Sequence, residues 1–175
     1  MLNNISTSFP ILTSKRLTLR QPLESDAQHL FLLRSDISVN KYLDRQPTET
    51  VEEVVSFIRK VNENFKNGTG IYWVIIQAGN EKVIGAICLF NFSYELKKCE
   101  IGYELLSNYQ GKGIMNEALK KIIGFTFKTL KFETIDAFVH KGNQRSTKLL
   151  RKLNFKEMIG IEEASSTLVQ FSLSN

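Results

Sequence analysis

A short glycine-containing loop between an apolar strand and an amphipathic helix constrains this chain more than any other feature. The segment Cys99–Ser107 has the apolar content of a strand, and the turn Gln110–Gly113 follows it. A helix predicted from Ile114 to about Lys128 has its apolar residues at helical spacing, and a second strand follows at Glu133–Val139. Strand–helix–strand crossovers are right-handed and connect parallel strands. The two strands are therefore expected to be parallel neighbours or near neighbours in one sheet.

The other predicted elements surround this unit with further strands and helices. They are a strand at Lys15–Arg20, a helix capped by Ser25 or Asp26 and running through Arg34, a helix from Val51 to Phe65, strands at Ile71–Gln77 and Lys82–Phe92, a helix at Gln144–Leu153, and a closing strand pair at Phe155–Ile161 and Thr167–Leu173. The three strands from Ile71 to Ser107 predict an antiparallel meander, so the sheet is mixed and the fold class is α/β. No repeat or linker divides the chain, and we expect residues 1–175 to form a single domain.

Basic residues are concentrated in the second half of the chain. The whole sequence has 23 Lys+Arg against 18 Asp+Glu, a net charge of +5. Residues 97–156 hold 13 of the basic and five of the acidic residues, which gives this stretch a charge of +8 and the remainder −3. Such asymmetry predicts an anionic ligand near the basic stretch, although a solvated lysine-rich helix face gives the same count.

The cysteine positions and the short apolar runs predict a cytoplasmic protein without a membrane segment. Cys88 and Cys99 would not face each other across a hairpin that turns near Ser93–Lys97, so a disulfide is not expected. The opening residues MLNNISTSFP lack the charged and apolar regions of a signal peptide. No apolar run reaches the roughly 20 residues that a helix needs to cross a bilayer.

The loop sequence QGKGIM, at residues 110–115, has the chemistry of an anion site. Gly111 and Gly113 let the backbone approach a ligand closely, and the first N–H groups of the following helix favour negative charge. Lys112 adds a positive side chain. The glycines could equally serve only to make a tight turn. The dinucleotide-binding and P-loop patterns do not apply, since the third glycine and a G-K-S/T at the helix start are missing.

The run CEIGYELLSNYQGKGIMNEAL, at residues 99–119, resembles the acetyl-CoA-binding core of the GNAT superfamily of N-acetyltransferases. Three other stretches fit the same family in the same order: TSKRLTLRQPLESDAQHL, KVIGAICLFNF and HKGNQRSTKLLRKLNF. More narrowly, the chain is similar to the branch that acetylates the N-termini of ribosomal proteins. The resemblance implies a mostly antiparallel sheet of about seven strands, flanked by helices and splayed between two central strands. It also implies direct transfer of an acetyl group from acetyl-CoA to a primary amine in a ternary complex.

The resemblance assigns the cofactor site to the loop and to the strand before it. Gln110 and Gly113 match the family pattern Q/R-x-x-G-x-G/A, while Met115 stands where a small residue is usual. The pyrophosphate is expected on the main chain of Gly111, Lys112, Gly113, Ile114, Met115 and Asn116. The pantetheine arm is expected on the bulged end of the strand, at Tyr103, Leu105 and Leu106.

Asn143 and Ser146 match the family's N-x-x-S at the start of the helix that runs under the thioester. Either residue could simply cap the helix, and for Asn143 capping and cofactor contact are compatible. Ser146 is the candidate acid for the departing thiolate. Branches of the family with a tyrosine seven residues after the asparagine have Leu150 in its place here, so that acid is missing. Asn154 replaces a usual glycine and is expected to adopt the left-handed conformation.

A base is expected near the thioester, because an amine must lose a proton before it attacks. Glu100 and Glu104 lie four residues apart on one strand and so on the same nominal face. The resemblance favours Glu100, acting directly or through a water, with Glu104 as the second candidate. An exposed strand carboxylate is the plain alternative for Glu100. The two histidines, His29 and His140, are assigned to packing or surface positions.

Metal ions, nucleic acids and membranes are not expected partners. The cysteines and histidines lack paired ligand spacing, and the basic residues lack the interleaved aromatics of a nucleic-acid-reading motif. The acceptor is a protein N-terminus or a small amine, bound near Val39–Pro47, the helix beyond it and the Gly160–Thr167 loop, where Glu162 and Glu163 could attract a cation. A monomer or a homodimer is expected. A non-catalytic acyl-CoA-binding module is the alternative function.

Overall fold

An eight-stranded sheet forms the centre of the computed structural model, which describes residues 8–158 and 167–175. Its strands are β1 Leu12–Thr13, β2 Leu17–Arg20, β3 Ile71–Gln77, β4 Val83–Ser93, β5 Lys98–Leu105, β6 Thr134–His140, β7 Lys156–Glu157 and β8 Leu168–Ser174. They lie in the order β1-β2-β3-β4-β5-β6-β8-β7, and the neighbouring pairs are antiparallel except for β5 with β6. The mixed, mostly antiparallel α/β fold predicted from the sequence is confirmed.

The helices of the described residues are α1 Ala27–Ser35, α2 Ile37–Asn40, α3 Val51–Lys66, α4 Ile114–Lys128 and α5 Gln144–Lys152. Helix α3 begins after Thr50, whose hydroxyl accepts a hydrogen bond from the Glu53 N–H at 3.2 Å. It ends at Lys66, and Gly68 then turns the chain away with a φ of 66°. None of these helices combines the length and the apolar character that crossing a bilayer requires.

Strands β5 and β6 pair over only three residues each, and this short pairing opens a cleft in the sheet. Residues 98–100 of β5 pair with residues 134–136 of β6. Beyond this point β5 continues along β4 to Leu105, whereas β6 continues along β8 to His140. Within the described chain, the edge of β5 that faces β6 has no strand partner after Glu100. The carboxyl ends of the two parallel strands therefore diverge, which confirms the splayed sheet that the resemblance implied.

The sheet separates two apolar cores. Helices α4 and α5 share one of them with the central strands, where Trp73, Ile87 and Leu119 are fully buried. Helices α1 and α3 form the other, through Leu30, Ile58 and partly buried neighbours. Because strand side chains alternate between faces, the odd-numbered residues of β5 enter the first core and Glu100, Gly102 and Glu104 lie on the α1/α3 side.

The structure corrects three local expectations. Strand β5 stops at Leu105 instead of Ser107, because the chain turns into a 3-10 turn at Ser107–Tyr109. The bulge implied at the end of β5 is not seen, since β4 and β5 keep one register from Glu100 to Leu105 and the irregularity falls between Phe90 and Ser93 instead. Asp26 does not cap α1: its carboxylate binds the Arg20 guanidinium at 2.7 and 2.8 Å and accepts the Leu23 N–H.

The structure also bears on the predictions for the cysteines, for Asn154 and for the closing strands. Cys88 and Cys99 are free thiols, as expected. Asn154 adopts a φ of 66°, which confirms that it replaces glycine in the left-handed conformation. The closing strands pair in antiparallel fashion, at Lys156–Glu157 and residues 171–172. Residues 159–166 lie outside the described residues, and they include the end of the first predicted closing strand and most of the Gly160–Thr167 loop, with Glu162 and Glu163.

Candidate active site

The loop after β5 brings the N-terminus of α4 to the cleft without a side-chain cap. Gly111 and Gly113 have φ values of 74° and 75°, and Gly113 is the N-cap residue of α4. No side chain of the described residues caps this end of the helix. A Cβ on Gly111 would meet nothing within 4 Å, so the left-handed backbone, and not crowding, requires glycine here. Free N–H groups at a helix N-terminus beside Lys112 make an anion site.

Met115 occupies the core and not the ligand side of the loop. Ile114 and Met115 are 2% and 7% exposed, and both belong to the core shared with α4. Only their backbone N–H groups are therefore available at the loop, which explains how a large side chain fits at position 115. Asn116 follows at the third position of the helix, half-buried, and its side-chain oxygen has no hydrogen-bond partner among the described residues.

An N-terminal segment fastens this loop to the sheet. Arg16, just before β2, donates from Nε to Glu117 Oε2 at 2.7 Å and from Nη1 to the Lys112 carbonyl at 3.2 Å. The Ser14 hydroxyl donates to Glu117 Oε1 at 2.6 Å. The hydrogen bonds from Ser14 and Arg16 lower the pKa of Glu117 below its usual value of 4.5. This network holds the first turn of α4 and adds a guanidinium beside the loop.

Gln110 connects the loop to both sides of the cleft. Its Nε2 donates to the Leu105 carbonyl at 2.8 Å, and its Oε1 accepts from Arg145 Nη1 at 2.6 Å. Arg145 belongs to α5, so the contact joins the end of β5 to the helix across the divergence from β6. Gln110 thus fixes the position of the loop, and part of the predicted basic stretch, Lys112 and Arg145, lies at this loop.

Two hydroxyl groups meet where β5 faces α5. The hydroxyl oxygens of Tyr103 and Ser146 are 2.6 Å apart. Burial raises the pKa of Tyr103 to about 12, and the hydrogen bond with Ser146 opposes this shift. Both groups are therefore protonated at neutral pH, and either can donate a hydrogen bond. Asn143 caps α5, since its Oδ1 accepts from the Ser146 N–H at 3.2 Å, which confirms the capping interpretation. The remaining pantetheine candidates differ in burial: Leu105 is in the core, whereas Leu106 is half-buried.

The two candidate bases lie in different surroundings although they share a face of β5. Glu100 lies near the start of β5, where its Oε1 accepts from Asn91 Nδ2 at 3.0 Å. Glu104 lies at the other end of the strand, and its side chain is only 8% exposed. Arg45 Nη2 donates to its Oε2 at 2.5 Å, and the Tyr72 hydroxyl donates to its Oε1 at 3.2 Å. The side chain of Glu104 is thus buried and positioned by an arginine and a tyrosine, whereas Glu100, at the last position paired with β6, bonds to the exposed Asn91 of β4.

Tyr103 and Glu104 both line a cavity of about 370 Å³ between the sheet and the α1/α3 helices. Its wall includes the aromatic rings of Phe57, Tyr72 and Phe90. Burial raises the pKa of Tyr72 well above its usual value, so this hydroxyl also stays protonated. The cavity therefore reaches the part of β5 that has no strand partner on its β6 side among the residues described.

The segment Val39–Pro47, expected near the acceptor, spans the cleft from β6 to β5. The ring of Tyr42 lies 5.3 Å from that of His140 at the end of β6. A few residues later, Arg45 reaches Glu104 on β5. His140 accepts the Gly142 N–H at Nδ1, and its contacts are those of a packing residue. This segment forms one wall of the site.

Residues 16–156 match the acetyltransferase (GNAT) domain, which covers most of the chain. This protein belongs to the GNAT acetyltransferase family. Members transfer an acetyl group from acetyl-CoA to an amine, so the protein is an acetyl-CoA-dependent N-acetyltransferase with acetyl-CoA as its cosubstrate. Within residues 8–158 and 167–175, no three His, Cys, Asp or Glu side chains come together as a metal-binding group would.

Several GNAT relatives match the chain along most of its length. The N-acetyltransferase p20 of Bacillus licheniformis is 36% identical over 147 residues, which are 83% of this chain and 82% of that protein. YoaA, an N-acetyltransferase of Bacillus subtilis, is 30% identical over 149 residues, 85% of this chain and 84% of its own. Among solved structures, RimL, a ribosomal L7/L12 α-N-protein acetyltransferase in complex with coenzyme A, has a TM-score of 0.84 and 19% identity, covering 94% of this chain and 98% of that chain. This last likeness supports the fold.

Sequence reasoning on the GNAT motifs missed the residues that complete the site from elsewhere in the chain. Arg16 donates to the Lys112 carbonyl in the loop after β5, and Arg34, Arg45 and Tyr72 surround Glu104. Each lies far along the chain from the motif it contacts, so no local spacing indicates the contact. Of these four residues, only Arg16 could have been found from the sequence, because its segment KRLTLR belongs to one of the four stretches that carry the resemblance.

Proposed function

We propose that the protein acetylates a primary amine by direct transfer within a ternary complex, at the divergence of β5 and β6. The observation that carries this proposal is the meeting of Tyr103 with Ser146 at 2.6 Å, beside a cavity that Tyr103 shares with Glu104. One side of β5 thus offers hydroxyl donors for a thioester, and the other offers a carboxylate and a space for the acceptor.

Acetyl-CoA is proposed to bind with its pyrophosphate on the backbone N–H groups of Gly111–Asn116 and its pantetheine arm along β5 from Tyr103 to Leu106. The uncapped N-terminus of α4 and the nearby cations Lys112 and Arg145 support the first part. The free edge of β5 supports the second, because its unpaired peptide groups can bond to the amides of the arm. Gln110 positions the loop, and Asn143 positions Ser146.

For the base, the geometry supports Glu104 better than Glu100. Glu104 lines the cavity and is positioned by Arg45 and Tyr72, while each carboxylate oxygen retains capacity to accept a further hydrogen bond. Glu104 takes a proton from the acceptor ammonium, directly or through a water. The amine nitrogen then attacks the thioester carbon, the C–N bond forms, and the C–S bond breaks. The thiolate receives a proton from Ser146, whose hydroxyl is in contact with Tyr103, and the second proton of the nitrogen passes through water to restore the Ser146 hydroxyl. Glu104 then releases its proton to solvent, so that CoA leaves as a thiol and the acceptor as a neutral amide.

The acceptor is proposed to be a protein N-terminus or a small amine. RimL, the structural neighbour, acts on a ribosomal protein by its name, which supports the first class. The cavity of about 370 Å³ lies at the small end of ordinary ligand pockets, about 300–1,000 Å³, which supports a compact group in either class.

The structure also supports proposals on the domain organisation, the location and the oligomeric state of the enzyme. One continuous sheet through the described residues supports a single domain, and the two free thiols, Cys99 buried and Cys88 half-buried, support a cytoplasmic location. A monomer or a homodimer without nucleic-acid or membrane partners is proposed for the active form.

The proposal is tested by the release of CoA from acetyl-CoA in the presence of amines, with the acetylated product identified by mass. Glu104→Gln is expected to lower kcat by about a hundredfold at neutral pH, the usual scale of a lost general base. Glu100→Gln is the matched control on the same strand and is expected to retain most of the activity. A larger loss of kcat in Glu100→Gln than in Glu104→Gln would identify Glu100 as the base instead. Tight acetyl-CoA binding without any acetylated amine would contradict the proposed function and favour a binding module.

A further inference from the structure

The cavity beside Glu104 contains more positive than negative charge. Of the described residues that line it, the charged ones are Arg34, Arg45 and Glu104. Arg45 pairs with Glu104 at 2.5 Å and also donates from Nε to Asn40 at 2.7 Å. Arg34 has no ion pair among the described residues, and its guanidinium stacks on the Phe57 ring at 3.7 Å from the centroid. One carboxylate therefore serves two guanidinium groups.

Arg34 lies in an environment that disfavours an uncompensated charge. Its Nε is buried and has no hydrogen-bond partner among the described residues. Burial lowers the pKa of Arg34 and the like charge of Arg45 lowers it further, while Glu104 and the Tyr72 hydroxyl oppose the shift without cancelling it. A half-buried guanidinium whose nearby carboxylate is already ion-paired with another arginine is costly, and its planar set of donors matches a carboxylate or a phosphate. The chemistry of Arg34 therefore fits a second anion.

The remainder of the cavity limits the size and character of the molecule that supplies this anion. Leu43, Phe57, Val61 and Tyr72 give the wall an apolar and aromatic surface. The volume of about 370 Å³ accommodates a small molecule with one apolar side group. A polyamine would place its second cation near two guanidinium groups, which opposes binding.

We propose that Arg34, with Arg45 beside it, binds an acid group of the acceptor, and that the acceptor is a small primary amine bearing a carboxylate, such as an amino acid with an apolar side chain. This inference rests on the proposed function, because it places the acceptor amine at Glu104. The acid group lies towards Arg34 on α1, the amine lies towards Glu104 and Tyr103 on β5, and the apolar group packs on the aromatic wall. Arg34 then determines which amines are acetylated and takes no part in the chemistry.

The test compares acceptors that differ only in the acid group. Phenylalanine is matched with phenylalaninamide and phenethylamine, phosphoethanolamine with ethanolamine, and spermidine represents the polyamines. Phenylalaninamide is a strict comparison, because its amine is less basic than that of phenylalanine and is therefore more often neutral. Its reactivity alone would favour faster acetylation than that of phenylalanine. The wild-type enzyme is expected to show a kcat/KM for phenylalanine about tenfold or more above that for either partner, the scale of one charge-assisted pair. Phosphoethanolamine tests whether phosphate replaces carboxylate.

Two arginine variants locate the effect. Arg34→Gln is expected to remove the preference, so that the ratio of kcat/KM for phenylalanine to kcat/KM for phenethylamine falls to about one. Arg59→Gln is the control, because Arg59 is an exposed arginine of α3 that pairs with Glu24 outside the cavity. It is expected to keep the preference. Since the comparison of acceptors needs only the wild-type enzyme, a poorly folded Arg34→Gln would not remove the test.

The failures of the two proposals are distinguishable. Equal or faster acetylation of phenethylamine, phenylalaninamide or spermidine would overturn the inference and leave acetyl transfer intact. If acetyl-CoA binds but no amine is acetylated, the proposed function fails, and calorimetric binding of phenylalanine against phenylalaninamide in the presence of CoA decides the inference. Tighter binding of phenylalanine, lost in Arg34→Gln, would support it, and equal or undetectable binding of the two would overturn it.

Discussion

Replacement of Gly113 by alanine tests the conformation of the loop between β5 and α4. Gly113 has a φ of 75°, and an added Cβ would meet only Arg16 Nη2, at the ordinary contact distance of 3.6 Å. The cost therefore comes from the backbone, because an L-residue in the left-handed region costs about 1–2 kcal/mol. Alanine also restricts the unfolded chain, which returns about 0.4–1 kcal/mol. The variant is expected to lose about 1 kcal/mol of unfolding free energy.

Gly124→Ala is the matched control in the interior of the same helix. A Cβ at Gly124 meets nothing within 4 Å, and its backbone is helical. The same substitution is expected to raise the unfolding free energy there by about 0.4–1 kcal/mol. Urea denaturation of the two variants should thus give changes of opposite sign. Calorimetric titration should show weaker acetyl-CoA binding in Gly113→Ala only, since its loop amides are displaced. Equal stability and equal affinity of Gly113→Ala and the wild type would refute the reasoning.

Three further predictions address the hydroxyl pair, the thiols and the loop attachment. Ser146→Ala is expected to lower kcat about tenfold with an unchanged KM for acetyl-CoA, because a thiolate is a fair leaving group even without a proton donor. Steady-state kinetics of this variant and of Tyr103→Phe would show which hydroxyl protonates the thiolate. Full activity in both variants would contradict a role for either hydroxyl as the acid. Burial raises the pKa of Cys88 and of Cys99 to about 12, so a thiol reagent at pH 8 should label both far more slowly in the native protein than in urea, and equal rates would contradict this. The pKa of Glu117 is lowered in the folded protein, so the ionised carboxylate stabilises the fold at pH values above its usual pKa of 4.5. The difference in unfolding free energy between the wild type and Glu117→Gln should therefore shrink as the pH falls below 4.5. A difference that stays constant with pH would contradict this.

The elements with strong local signals could be predicted from the sequence. Helix α4 runs from Ile114 to Lys128, as its apolar spacing and the glycine before it indicate. Strand β3 has the predicted bounds, Ile71–Gln77, because its run of apolar residues ends in turn residues. The parallel pairing of β5 and β6 follows from the handedness of the crossover between them. These features depend on neighbours in the chain, which a sequence pattern contains.

The features that the sequence could not supply depend on partners from distant segments. After Leu105 the chain keeps one further bond to β4, from the Leu106 N–H to the Ile84 carbonyl at 2.9 Å, and then turns at Ser107–Tyr109. Asp26 has the composition of a helix cap, but the bidentate pair with Arg20 takes its carboxylate away from the helix.

In the candidate site, too, the features within one sequence motif could be predicted and the contacts between distant segments could not. Its loop and the Tyr103 and Ser146 hydroxyls lie in recognisable motifs, and their contact at 2.6 Å agrees with the resemblance. The contrast between Glu100 and Glu104 arises from side chains of α1, β3 and the segment after α2, which no spacing along β5 could indicate.

Transfer of a labelled acetyl group tests the central claim most directly. The enzyme is incubated with acetyl-CoA that carries ¹³C in the acetyl group and with each amine of the panel, and both the amine products and the intact protein are weighed by mass spectrometry. Direct transfer in a ternary complex predicts a labelled N-acetyl amine, one CoA released for each product, and an enzyme of unchanged mass. Bound acetyl-CoA without a labelled amine, or a labelled acetyl group that accumulates on the enzyme, would contradict it.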